Sequence, residues 1–376
     1  MFIKVYAAHL KQENWLSHFN QYSINFIRMK FRYILTLLLL FLTVYSVFAQ
    51  QRPYYTQYIL NNYIINPAVA GIENYWDVKV SHRHQWVGLD GAPVTTYFTI
   101  QGPLTKSGFP RQNATSFRPQ GENPRGRNFL EDYRSTDPHH GLGLTILNDK
   151  TGPLNRFALC GTYAYHLPLN ETTSFSAGVS LGIQNLHLNT GMLDFGEQYP
   201  IDPVVANSSY INNIKPDISL GVWIYSVRWF AGLAAQQIVP EKIGFNNGKL
   251  GGDSVTIING KLIPHLFLQA GYRVLLGDDI SFLPSFTAKY VNPVPLSFDI
   301  NIKFQYRDII WVGASMRPDD GFAAMVGINV NSTFNIGYSY DLTTSRLNTV
   351  SNGTHEIVLG FLLGNRYGDW CPRNVW

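Results

Sequence analysis

The chain has 376 residues, of which 14% are charged and 14% aromatic, whereas an ordinary soluble domain is about a quarter charged. The formal charge of +4 points at first to an acidic partner, but residues 1 to 49 hold five bases and one acid, so the remainder is neutral and nucleic acid is not an expected partner. A mean hydropathy of −0.07 excludes a bundle of transmembrane helices, and two cysteines, Cys160 and Cys371, are too few for a disulfide scaffold and lack metal-ligand spacing.

The basic stretch Met29-Lys30-Phe31-Arg32 leads into an apolar run from Tyr33 to Phe48, which ends Val47-Phe48-Ala49 before Gln50. This order predicts a signal peptide over residues 29–49, cut between Ala49 and Gln50. The apolar core is shorter than the ~20 residues that a spanning helix needs. Residues 1–28 then read as a mis-annotated upstream extension, with translation starting at Met29. Residues 50–74 are expected to form a periplasmic N-terminal segment.

From residue 75 the chain alternates apolar and polar residues over about ten positions at a time. Leu296, Phe298, Ile300, Ile302, Phe304 and Tyr306 share one face, and Ser297, Asp299, Asn301, Lys303 and Gln305 share the other. Successive side chains of a strand point to opposite faces, so each such segment has one face in lipid and one in a polar setting. Trp76, Val78 and Val80 against Asp77, Lys79, Ser81 and Arg83 repeat the pattern.

Fourteen segments result, near 75–86, 94–104, 141–148, 155–167, 173–186, 217–225, 229–237, 264–276, 281–291, 296–306, 309–316, 321–330, 333–342 and 354–363, separated by turn residues such as Arg317-Pro-Asp-Asp-Gly. An even number suits closure. The expected fold is all-β: a single antiparallel transmembrane outer-membrane β-barrel of about fourteen strands over residues 75–364, followed by a C-terminal tail at 365–376. Tyr75, Trp76, Trp86, Tyr165, Tyr225, Trp229, Tyr290, Tyr306 and Tyr340 lie near segment ends, where interfacial girdles are expected.

Short periplasmic turns and long external loops are the rule in such barrels. With both termini periplasmic, the long connections near 187–216, 238–263 and 343–353 fall outside the cell. One long connection falls inside. Residues 105–140 carry six bases and four acids with several Pro and Gly, a length that suggests either a docking element or an insertion without a partner.

No catalytic constellation emerges, and neither an enzymatic role nor a cofactor or metal is expected. His82 and His84 share a strand face without a third ligand nearby; His139-His140 reads as a polar loop, and His355 and Glu356 point to opposite faces. Asp77, Lys79, Arg83, Asp299, Lys303 and Arg273 fall on inward faces, where they could line a channel or tie the wall together.

Several stretches resemble the PorP/SprF family over nearly the whole mature chain: Tyr54-Tyr-Thr-Gln-Tyr58, Asn66-Pro67-Ala-Val-Ala-Gly71, Arg83-His-Gln-Trp86 with Gly88-Leu-Asp-Gly91-Ala-Pro93, Asn148-Asp149-Lys150-Thr-Gly152-Pro153, Tyr163-Ala-Tyr165-His166 and Gly337-Tyr-Ser-Tyr-Asp341. The resemblance implies an outer-membrane barrel of the type IX secretion or gliding machinery. Its implied partners are outer-membrane lipid, a secreted adhesin-like protein and periplasmic type IX secretion components. An outer-membrane channel or transporter for small solutes or lipids is the alternative.

Overall fold

The computed structural model describes residues 55–73, 75–104, 135, 137–189, 192, 212–240, 242–243, 260–277, 280–306, 309–318, 320–330 and 333–364. The leader, the cleavage site Ala49/Gln50, most of the 105–140 connection, Cys371 and the 365–376 tail lie outside the described residues.

Fourteen strands form one antiparallel meander: β1 (Trp76–His84), β2 (Val94–Leu104), β3 (His139–Thr151), β4 (Leu154–Pro168), β5 (Thr173–Leu188), β6 (Asn212–Ser226), β7 (Trp229–Gln236), β8 (His265–Tyr272, resuming at Val274–Leu275), β9 (Ile280–Val291), β10 (Val294–Tyr306), β11 (Ile310–Arg317), β12 (Gly321–Asn329), β13 (Phe334–Thr343) and β14 (Thr354–Leu363). Each strand pairs with the next, and β14 returns to β1 with Trp76 opposite Leu363 and His84 opposite His355, so the barrel closes. Closure leaves no free edge along the wall, which is what a sheet needs to cross a bilayer.

Alternation sorts the side chains as the sequence predicts. In β10, Ile300 is 51% exposed on the outside while its neighbour Asn301 is 1% exposed on the inside. Several boundaries move. β3 and β6 begin earlier than expected, at His139 and Asn212, so the inward connection ends at 138 and the histidine pair belongs to a strand: His139 faces in and His140 faces out. Tyr75 and Tyr225 are buried rather than girdle residues. A position near a strand end sets the height of a side chain, whereas the parity of its register sets the face.

The connections divide the barrel into two ends. One end holds 85–93, 152–153, 189–211, 237–264, 292–293, 318–320 and 344–353; the other holds 105–138, 169–172, 227–228, 276–279, 307–309 and 330–333. We call these the long-loop end and the short-turn end. At the long-loop end β6 runs past the end of β7: Leu220 is the last β6 residue paired with it, opposite Ala235. The connection to β8 comes back against this taller wall, burying Leu262 with Leu186 and Leu154.

Residues 55–73, expected outside the barrel in the periplasm, run inside it. They form three short 3-10 turns, Gln57–Leu60, Asn62–Ile64 and Pro67–Val69. The last is started by Asn66, whose side chain accepts from the Ala68 N–H, with Pro67 supplying the fixed φ that a first helical position favours. Tyr58, Ile59, Ile64 and Ile65 pack against Tyr97, Leu147, Trp311 and Met325; Tyr63, Ala68, Val69 and Ile72 pack against Ala164, Trp223, Tyr225 and Phe230. Fully burying one such large apolar side chain is worth roughly 1.5–3 kcal/mol against leaving it in water. In the periplasm this whole apolar set would stay exposed, which is the physical reason that the segment folds inward.

Candidate functional site: the plugged lumen and its rim

The plug is held along its whole length by the inward faces of the strands. At its first described residues, the Thr56 N–H donates to Glu356 Oε2 (2.8 Å). The Thr56 hydroxyl donates to Asp341 Oδ2 (2.5 Å) and accepts from Arg83 Nη1 (2.8 Å) and Arg317 Nη2 (2.9 Å). One donor and two lone pairs are all that a hydroxyl has. Around it, Arg83 also pairs with Asp341 (2.7 Å) and Glu356 (3.0 Å), and Arg317 with Asp341 (3.3 Å) and Asp299 (3.4 Å). Glu356 has no exposed surface. Buried charges of this kind persist only when paired and hydrogen-bonded, and here the plug backbone supplies part of the pairing.

Further along, Asn61 donates to Thr99 Oγ1 (3.0 Å), Gln269 to Asn62 Oδ1 (2.7 Å), Asn301 to the Tyr58 hydroxyl (2.5 Å) and Tyr63 to Thr162 Oγ1 (2.9 Å). Asn66 Nδ2 bridges the carbonyls of Val222 (3.1 Å) and Leu233 (3.2 Å), tying β6 and β7 to the plug. Gln236 Nε2 donates to the carbonyls of Ile64 and Ile65. At the last turn Ser176 donates to the Ala68 carbonyl (2.7 Å), the Gly71 N–H donates to Gln101 Oε1 (2.6 Å), and Nε2 of His166 and of His139 contact the carbonyls of Ala70 (2.8 Å) and Gly71 (3.0 Å). The two imidazoles stack with centroids 4.5 Å apart.

Close approach needs glycines on the wall. A Cβ at Gly141 would collide with the Ala70 carbonyl, and one at Gly178 would lie 2.6 Å from the Ala68 nitrogen.

The structure gathers the motif residues into three places. Asn66, Pro67, Gly71 and His166 belong to the plug and its seat. Trp86, Gly91, Pro93, Asp149, Gly152 and Pro153 lie at the long-loop rim, where the Gly152 N–H donates to the Gly91 carbonyl (2.8 Å), Gln85 N–H to the Pro93 carbonyl (2.9 Å), Asn189 N–H to the Pro153 carbonyl (2.8 Å), Trp86 N–H to Thr354 Oγ1 (3.1 Å) and Thr95 Oγ1 to Asp149 Oδ1 (2.6 Å). Asn148 and Lys150 flank that rim on the exposed face of β3. Tyr163 and Tyr165 sit on the outer wall around His140, whose Nδ1 is 2.7 Å from the Tyr163 hydroxyl.

The sequence does not reveal that Thr56 meets Arg317 and Asp341, nor that Gln236 and Gln101 hold the plug backbone at Ile64, Ile65 and Gly71. Arg83 and Asp299 face inward as the alternation predicts: Arg83 bonds to the plug at Thr56, and Asp299 pairs with Arg317, which bonds to Thr56 as well. Cys160 lies on the inward face of β4, the polar face the alternation predicts. Among the described residues no group of three His, Cys, Asp or Glu side chains is placed to hold a metal ion.

A closed antiparallel meander, apolar outside and polar at a packed interior, defines an outer-membrane β-barrel protein. The chain belongs to the type IX secretion system membrane protein PorP/SprF family, whose profile matches residues 47–361. Among curated proteins none matches the sequence. Solved structures with a similar fold include the Acinetobacter baumannii outer membrane protein Omp33 (9% identity, 78% of this chain and 100% of that one, TM-score 0.42). The Ralstonia pickettii toluene transporter TbuX (11%, 81% and 92%, 0.44) and a Pseudomonas aeruginosa FadL homologue (10%, 82% and 93%, 0.42) are further examples.

Proposed function

We propose that this protein is a noncatalytic anchor of the type IX secretion or gliding machinery, which helps a secreted adhesin-like protein leave the cell or stay on its surface. The outer wall holds it in lipid, the long loops meet the secreted protein, and the connection 105–138 at the short-turn end contacts periplasmic secretion components. The observation that carries this reading is the filled lumen. A channel needs a continuous polar path, whereas here residues 55–73 occupy the interior and bond to strands on all sides. What the barrel offers to other molecules is therefore its two ends.

Pull-down from detergent-solubilised outer membranes is expected to recover a secreted surface protein together with periplasmic secretion components. Recovery of neither, with surface proteins still exported from a deletion strain, would overturn the proposal. Planar-bilayer recording tests the alternative of a channel for small solutes or lipids, since the plugged barrel is expected to be electrically silent.

A further inference from the structure

The two ends of the plug lie at opposite ends of the barrel. Thr56 is held by Arg83, Arg317, Asp341 and Glu356, each within two residues of a strand end that opens on the long-loop side. Ala70 and Gly71 are held by His166, Gln101 and His139, close to strand ends on the short-turn side. The contacts between them descend in order. Asn61 meets Thr99 midway along β2, Tyr63 meets Thr162 midway along β4, and Ala68 meets Ser176 near the short-turn end of β5. Thr95 stands opposite Arg83, and Gln101 lies further along the same strand opposite Asp77, a separation of about 20 Å at the usual rise per residue. The segment thus traverses the lumen lengthwise, and β1 then runs back up the wall from Trp76.

We propose that the mature chain is threaded through its own barrel, so that Tyr55 lies at the cell exterior, although β1 starts at the periplasmic side. The inference rests on the reading above that the long loops point outward. It moves the start of the segment expected in the periplasm to the external side, leaving 105–138 as the main periplasmic element. It also makes the Thr56 cluster the fastening at the surface end of the plug.

Cysteine reporters test it in a Cys160→Ser/Cys371→Ser background, with a membrane-impermeant maleimide on intact cells. Asn348→Cys marks the long-loop end, Asn170→Cys the short-turn end, and Tyr55→Cys the plug. Tyr55→Cys is expected to be labelled whenever Asn348→Cys is, and Asn170→Cys only after the membrane is opened. Labelling of Tyr55→Cys together with Asn170→Cys overturns the threading. If Asn170→Cys alone reacts in intact cells, the outward placement of the long loops is wrong, yet threading still stands or falls on whether Tyr55→Cys follows Asn348→Cys. Because Tyr55 packs against Tyr97, a second variant carries a short epitope inserted after Gln51. Antibody binding to intact cells supports the proposal, and failure to bind on an assembled barrel overturns it.

Discussion

Glu356 takes the Thr56 N–H on one carboxylate oxygen, which also receives Arg83, while its other oxygen faces Ser81 Oγ at 3.3 Å. Replacing it with Ala removes the acceptor and takes from the buried Arg83 guanidinium one of its two carboxylate partners among the described residues, leaving Asp341 and the Thr56 hydroxyl, a loss of about 3–5 kcal/mol for breaking a buried pair. The Glu356→Ala barrel is expected to lose its compact gel migration at a clearly lower temperature than the wild type; an unchanged transition would mean that the cluster contributes nothing. Asn66→Ala gives up three hydrogen bonds with no solvent to replace them, and each orphaned buried partner costs about 1–3 kcal/mol. The same melting measurement is expected to place it below the wild type as well. Alternation showed that Arg83 faces inward and that His355 and Glu356 face opposite ways. It could not show that Arg83 and Glu356 meet at Thr56, 27 positions from the one and 300 from the other. Pro216 illustrates a local rule that is legible once the neighbours are known. It lies where β6 runs beyond β7, and the contact of the Ile218 carbonyl with Ile238 N–H puts its missing N–H on the side that β7 does not reach, where proline costs the ladder no hydrogen bond to β7.

Among the elements, the strands were readable to within a few residues, since a half-buried strand writes its period of two into the sequence. The 3-10 turns of the plug have no comparable signature: they are too short to repeat, and they mix Asn and Gln with Tyr and Ile. A segment of that composition before a barrel reads as a periplasmic arm. Its true position follows from the wall, where Gly141 and Gly178 make room for the Ala70 carbonyl and the Ala68 nitrogen. Gly141→Ala puts a methyl group where a backbone carbonyl stands, so the last turn of the plug has to shift. Bilayer recordings are expected to show brief conductance steps from Gly141→Ala that the wild type lacks, and silence from both would mean that the plug repacks without opening a path. The rim is a second element that the motifs marked without revealing its geometry. Gly91 and Gly152 both have positive φ (+72° and +54°) and are joined by one hydrogen bond, so the two motif stretches are two sides of a single contact.

For the whole molecule, an outer face of large apolar side chains, a filled interior and two unlike ends separate three tasks. The wall is held by apolar contact, with exposed residues such as Ile300, Val312 and Phe322 around it, and that contact does not depend on ionic strength. High salt is accordingly expected to leave the protein in the membrane fraction, with detergent required to release it. The remaining polarity is spent inward on the plug or lies at the two ends. The connection 105–138 combines six bases and four acids and joins β2 to β3 at the end where the other connections are short. Barrel closure does not need that length, because β2 and β3 are already paired from Leu104 opposite His140 onward. Shortening the connection by removing residues 110–130 is therefore expected to preserve assembly, seen as unchanged heat-dependent gel migration, while reducing recovery of periplasmic components in the pull-down. Unchanged recovery would remove the connection from the contact surface. Loss of assembly would instead show that it serves the fold.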